Sequence, residues 1–295
     1  FLGAGYTHQE PKYKDTVGRG LRWLIGNQLS NGQLFRSETD STLYTQFYGH
    51  GLATIALCEA YGMTRDPALR GPAEKAIDYI LRSQSPDYGG WRYVPRKETD
   101  TSVTGWQLMA LKSAQMAGLR VPGDAFGGVA RWLDRAQVDD GARYVYTPYA
   151  GLTASQSHLR LPNRAMTAEG LLMRIYLGWQ PDNPSLRRGA EFLKQNLPSY
   201  SANPAEGRDC YYWYYATQVM FQMQGEMWQT WDRQIQETLL KTQVQTGPWV
   251  GSWDPTQPVA DRWGKEAGRL YVTAFHLLIL EVYYRHLPLF KTLAP

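Results

Sequence analysis

The chain has 295 residues, 43% of them apolar, which is enough to bury a sizeable core in one large domain or two ordinary ones. Its formal net charge is only +4 and its lysines and arginines are scattered, which argues against a nucleic-acid partner. The two cysteines, Cys58 and Cys210, lie in separate apolar runs and set up no disulfide framework, and no apolar stretch reaches the roughly 18–20 residues that span a bilayer.

Taken in chain order, the sequence repeats itself. Amphipathic segments predicted at 11–28, 67–84, 124–137, 184–196 and 229–245 each end near a glutamine: Gln28, Gln84, Gln137, Gln195 and Gln243. Glycine follows four residues later at Gly32, Gly141 and Gly247, and Gln84 is followed by Gly89 and Gly90. Aromatics come next, at Phe35, Trp91 and Tyr144, with Trp249 and Trp253 after Gln243. Apolar residues in these segments recur at helical spacing, as in Val17, Leu21, Leu24 and Ile25, and their other faces are charged. Between them lie second helices, predicted at 42–61, 101–117, 164–178, 209–224 and 268–286. These are apolar nearly all round, so both sides should be buried, and Gly62, Gly118, Gly178 and Gly225 are expected to stop four of them. An amphipathic helix, a glutamine turn and an apolar helix, five times over, predict an all-α barrel or solenoid.

The longest connections, 138–162, 196–208 and 247–266, all join an amphipathic helix to the following apolar one. They should crowd one rim, and loops of that length tend to be functional or mobile. The 11 Trp and 20 Tyr suggest a lined cavity or many wet-edged contacts.

The glutamine, glycine and aromatic of each unit (Gln28, Gln84-Gly90-Trp91, Gln137-Gly141, Gln243-Gly247-Trp249) resemble the QW repeat of the terpenoid cyclase and protein prenyltransferase superfamily. The phrasing of the apolar helices is similar to bacterial squalene-cyclase-like proteins of unassigned role. The resemblance implies one α/α toroid over residues 1–295, with an inner apolar and an outer amphipathic ring, in which each glutamine bonds a neighbouring helix end. Five hairpins are visible where the family toroid has six. Either five close the ring, or one is degenerate or missing. Phe1 is not an initiator and no signal-peptide pattern follows, so the chain is expected to be a domain of a longer protein, with an exported or membrane-associated parent suggested by the resemblance.

The acidic run Glu98-Thr99-Asp100-Thr101-Ser102 stands where the resemblance places the acidic motif of proton-initiated cyclases. With Glu98 matched to its first Asp, Asp100 is the acid and Thr101 replaces its partner. With Asp100-Thr101-Ser102 matched to its end, Thr99 takes the donor position and the acid is lost. The simpler role of the run is to cap the helix at 101–117. Asp209-Cys210 resembles the zinc motif of prenyltransferases, but Arg208 and Val272 replace two ligands, so no metal and no cofactor is expected. Rim positions Tyr48, His50, Thr104, Trp106, Glu169, Asp209, Tyr211, Trp213, Tyr215 and Tyr271, with Trp91, are candidates to line a cavity for a small apolar ligand. Glu169 and His50, alone on apolar helices, must be paired or neutral if buried. His8, His158 and His286 show no ligand spacing. The functional expectation is binding of an apolar or isoprenoid-like ligand. The alternatives are a class II cyclase or isomerase using Asp100 with Trp91, Trp106, Tyr211 and Tyr215 around the cation, and a carbohydrate-active barrel using Asp100, Glu169 and Asp209.

Overall fold

The periodic runs fold as the helices they predict. The computed structural model describes residues 1–35, 43–201, 203 and 207–285; His286 and the predicted helix ends at 42 and 286 lie outside them. The helices are α1 (Lys14–Gly26), α2 (Leu43–Thr64), α3 (Pro67–Ser83), α4 (Thr101–Met116), α5 (Gly123–Ala136), α6 (Arg164–Tyr176), α7 (Pro184–Lys194), α8 (Cys210–Met223), α9 (Gly225–Leu240), α10 (Gly264–Leu280) and α11 (Val282–Arg285). Among the described residues the only strands, Gln137–Val138 and Arg143–Tyr144, form one two-stranded sheet, so the fold is all-α. No helix among them is long and apolar enough to cross a membrane.

Start signals are local and physical. Asp66, Asp100, Asn163, Asn183 and Asp209 each accept a backbone N–H from the first turn of α3, α4, α6, α7 and α8. Pro67 and Pro184 sit at first helical positions, where no N–H is needed.

The chain gathers into two compact units, residues 1–137 with 144–161, and residues 138–143 with 162–295. In the first, α2 packs on α4, α3 covers both, α5 lies on α4 and α1 on α2. In the second, α8 packs on both α6 and α10, while α7 covers α6 and α9 covers α8. The amphipathic helices bury one stripe, such as Leu69, Ala73, Ile77 and Ile80 of α3. The apolar helices α4 and α8 are buried nearly all round, as expected. Helix α10 is not: Leu270 is 83% and Leu277 43% exposed, because nothing among the described residues covers that side.

The glutamine turns tie neighbouring repeats in the first unit. Gln28 Nε2 donates to Gly32 O (3.1 Å) and to Pro72 O of α3 (2.9 Å). Gln84 Nε2 does the same to Gly89 O (2.7 Å) and Ala125 O of α5 (2.9 Å). The glycines follow from the same packing. Gly32 and Gly89 have φ of +89° and +86°, and a Cβ there would lie 2.1 Å from Lys75 O and 2.2 Å from Gly128 O. In the second and last repeats the aromatic that follows is a buried plug with a fixed hydrogen bond, whereas Phe35 of the first is only half-buried. Trp91 Nε1 donates to Ile80 O at 2.8 Å and Trp253 Nε1 to Leu239 O at 2.9 Å, each acceptor four residues before the glutamine. The plug of the last repeat is therefore Trp253, buried, and not Trp249, which is 59% exposed.

Gly62 is also placed differently from its expected role as a stop. Helix α2 runs past it to Thr64 and ends at Arg65, whose φ is +55°. Gly62 is small because Ala117 packs against it; a Cβ would come 3.2 Å from the Ala117 Cβ.

Gly89→Ala should lose about 1–2 kcal/mol for the left-handed backbone, plus the clash with Gly128 O. Gly247→Ala, with φ of +80° but open space around it, should lose the backbone part alone. Urea unfolding of the two variants checks the difference.

Candidate functional site

Two clusters of side chains stand out, one in each unit, and the first is built around Asp100. Its carboxylate caps α4 by accepting from Val103 N at 2.7 Å on Oδ1. The second oxygen accepts from the Tyr146 hydroxyl at 2.8 Å and faces Arg92 Nε at 3.4 Å. Tyr146 in turn shares a 2.5 Å hydrogen bond with Tyr93, and Arg92 Nη1 pairs with Glu98 at 2.7 Å. Tyr48 donates to Ser102 at 2.9 Å in the first turn of the same helix.

Asp100 is fully buried, whereas the Glu98 side chain is 68% exposed. Burial raises the Asp100 pKa from its ordinary 3.8 to about 7, against the opposing effect of the Val103 N–H, Tyr146 and Arg92. Burial and the neighbouring Asp100 carboxyl also push the Tyr146 phenol up, so it remains a hydrogen-bond donor. The cap and the perturbed acid are the same group.

Tyr146 reaches Asp100 because the segment 138–162 is pinned to α4 at its middle. Thr101 N donates to Tyr146 O (2.9 Å) and Thr101 Oγ1 to Val145 O (2.7 Å), while Val145 N donates to Ala136 O (3.0 Å). Tyr144 and Val145 are buried. Tyr146, Tyr93 and Arg92 were not legible as site residues from the sequence. The available signal was the alternation of Tyr144, Val145 and Tyr146 next to a buried helix start.

The second cluster gathers aromatics from the first half of α8 and the middle of α10. Tyr211 meets Tyr215 at 5.0 Å and Phe275 at 5.9 Å between ring centroids. Tyr271 meets Phe275 at 4.7 Å and Tyr214 meets it at 5.2 Å, all edge to face. Tyr211 and Tyr271 are half-buried over the buried Tyr214 and Tyr215. Glu169 of α6, with no exposure, accepts the Tyr211 hydroxyl at 3.3 Å on each oxygen.

Several other candidates are absorbed by structure. His50, buried, accepts from Leu34 N on Nδ1 (3.1 Å) and donates from Nε2 to Ala76 O (3.1 Å), a geometry that fixes its tautomer. Burial lowers its pKa to about 4, so it stays neutral. Thr104 and Thr273 take the same place in their repeats, accepting Trp91 N at 3.1 Å and Trp253 N at 3.2 Å. Trp91, Trp106 and Trp213 lie in the core, and Trp213 stacks on His276 at 5.9 Å. Asp209 is buried as the cap of α8, bonded to Tyr212 N at 3.0 Å. Of the carboxylates expected to flank a sugar cleft, Asp100, Glu169 and Asp209 are thus all buried.

Around Cys210 the side chains serve the connection 247–266. Arg208, buried, donates from Nη1 to Asp254 O (2.6 Å), Gln257 O (3.0 Å) and Val259 O (3.3 Å). Asp261 accepts Cys210 N at 2.9 Å, and burial with the nearby Asp261 and Asp209 pushes the Cys210 thiol up. Among the described residues no group of three or more His, Cys, Asp or Glu is arranged to hold a metal.

No protein-family model matches the chain, and no curated protein matches it.

Because folding raises the Asp100 pKa, the folded state holds a proton that the unfolded chain has already released between about pH 4 and 7. This stabilisation is complete below about pH 4 and is lost as pH rises towards 7, by up to about 4 kcal/mol. Asp100→Asn keeps the cap and removes the titration. The difference in stability between wild type and variant should therefore shift towards the variant across that window, as read by urea unfolding at stepped pH.

Proposed function

We propose that the chain binds an apolar, isoprenoid-like ligand. The observation that carries this reading is the aromatic wall of Tyr211, Tyr271 and Phe275, with one buried carboxylate, Glu169, behind it. Ring faces and edges contribute apolar contact with defined geometry, and a lone polar group orients what lies against them. The resemblance of the glutamine repeat to the terpenoid cyclase superfamily supports the same ligand class and an α/α-toroid arrangement. No cofactor is invoked.

A second reading is favoured by one feature. A buried carboxyl that keeps its proton up to about pH 7, hydrogen-bonded to a tyrosine, holds a proton that a class II cyclase or isomerase would transfer. The raised pKa also makes it a weaker acid towards an alkene. Both Asp100 oxygens already have partners, which favours the binding reading over the catalytic one.

Native mass spectrometry of lipids that co-purify with the chain, followed by incubation with squalene and shorter polyprenyl substrates, tests both. Binding predicts a retained isoprenoid that is never converted, with retention falling roughly ten-fold in Tyr211→Ala and Phe275→Ala. A cyclised product lost in Asp100→Asn, with the ligand still retained, would establish the catalytic reading instead. Neither lipid nor product would sink both.

A further inference from the structure

The turn that closes the second repeat leaves a cavity of about 360 Å³ between the end of α3 and the start of α5. Every residue that lines it belongs to the first compact unit. The volume is in the range of small-molecule sites, and the wall is mixed. Pro86 and Pro122 offer apolar surface, while Gln84, Arg96, Asp124 and Arg131 bring polar groups to the same space.

The charges around this cavity do not neutralise one another. Asp124 and Arg131 lie two turns apart on one face of α5, yet neither has a hydrogen bond or an ion pair among the described residues. The Arg96 side chain makes a single long bond, from Nη1 to Arg82 O at 3.3 Å. Gln84 adds an acceptor, since its Nε2 is committed to Gly89 O and Ala125 O at 2.7 and 2.9 Å while its Oε1 is bonded to nothing among the described residues.

Both arginines are placed by the backbone. Arg96 holds φ at +62°, a conformation that residues other than glycine adopt at a cost and that is often retained where a side chain must be aimed. Its N–H donates to Ser83 O at 2.8 Å, which pins the residue to the last turn of α3. Arg131 folds back along α5, with Nη1 at 3.7 Å from where a Cβ of Gly127 would sit, one turn nearer the helix start. One guanidinium is thus anchored on α3 and the other on α5.

This set of groups discriminates among ligand classes. A guanidinium fork matches the plane of a carboxylate. A bare dianion such as phosphate would meet both arginines but also the Asp124 carboxylate, and a bare amine would meet Asp124 but also two guanidinium groups. A molecule with both signs satisfies all three. We propose that this cavity binds a small zwitterion of the amino-acid type, its carboxylate held by Arg96 and Arg131 and its ammonium by Asp124 and Gln84 Oε1. The rest of the ligand lies against Pro86 and Pro122. The site shares no residue with the Asp100 or Tyr211 clusters and does not depend on the isoprenoid reading.

Isothermal titration calorimetry of the whole chain against the common amino acids and their glycyl dipeptides tests this. At least one should bind with a Kd below about 1 mM. Its N-acetyl and its amide derivatives, each lacking one charge, should both bind at least about ten-fold more weakly. A free amino acid that binds more tightly than its dipeptides assigns the site to single amino acids, and the reverse order assigns it to peptides. Arg131→Gln and Asp124→Asn change exposed side chains, so circular dichroism and melting without ligand should stay as in the wild type. Each variant should weaken binding by about ten-fold as well. Should either unfold, the derivative comparison on the wild type still decides. No binding of any zwitterion at about 10 mM would overturn the proposal. So would a derivative that binds as well as its parent, undiminished binding in a folded variant, or phosphate binding more tightly than every zwitterion.

Discussion

The structure depends on side-chain amides that read backbone carbonyls across a glycine notch. Gln28 and Gln84 each bond their own turn and the next amphipathic helix at once, so a single planar amide fixes both the turn and its neighbour. The glycine is required twice over, by a φ near +86° to +89° and by helix backbone close to where a Cβ would sit. The plug tryptophans then bond the last turn of the helix that leads into the glutamine. The tryptophan bonds are buried and the glutamine bonds partly so, and such bonds are costly to leave unmade.

Against that scaffold, Asp100 is unusual for serving two demands that pull in opposite directions. Helix capping favours the anion, while complete burial favours the acid, and burial dominates. Tyr146, Tyr93 and Arg92 form a polar chain that keeps the carboxyl hydrogen-bonded in either state. The aromatic cluster of α8 and α10 has the opposite character, with much ring surface and a single carboxylate, Glu169.

The helices and their pairing into hairpins were legible because apolar spacing, caps and glutamines all pointed the same way. So was the capping role of Asp100. Its partners were not, since Tyr146 and Arg92 come from connections without periodicity, and only the folded path of 138–162 brings them together. The last repeat departs from its expected burial for a related reason. An apolar helix such as α10 looks alike in sequence whether it has two neighbours or one, and Trp249 and Trp253 are equally aromatic although one is a plug and the other faces solvent. Gly62 illustrates the same ambiguity, because a glycine near a helix end serves as a stop or as a contact, and Ala117 decides which.

Arg208 extends the glutamines' way of recognising main chain to a whole loop. One guanidinium nitrogen holds the carbonyls of Asp254, Gln257 and Val259, as the glutamines hold those of Pro72 and Ala125. A carbonyl is present whatever side chain is attached to it. The receiving residues are therefore free to differ in identity so long as the path of the chain is kept. This accounts for a repeat that shares its glutamines and turns while Pro72 and Ala125, in the same structural place, have nothing in common but their backbone.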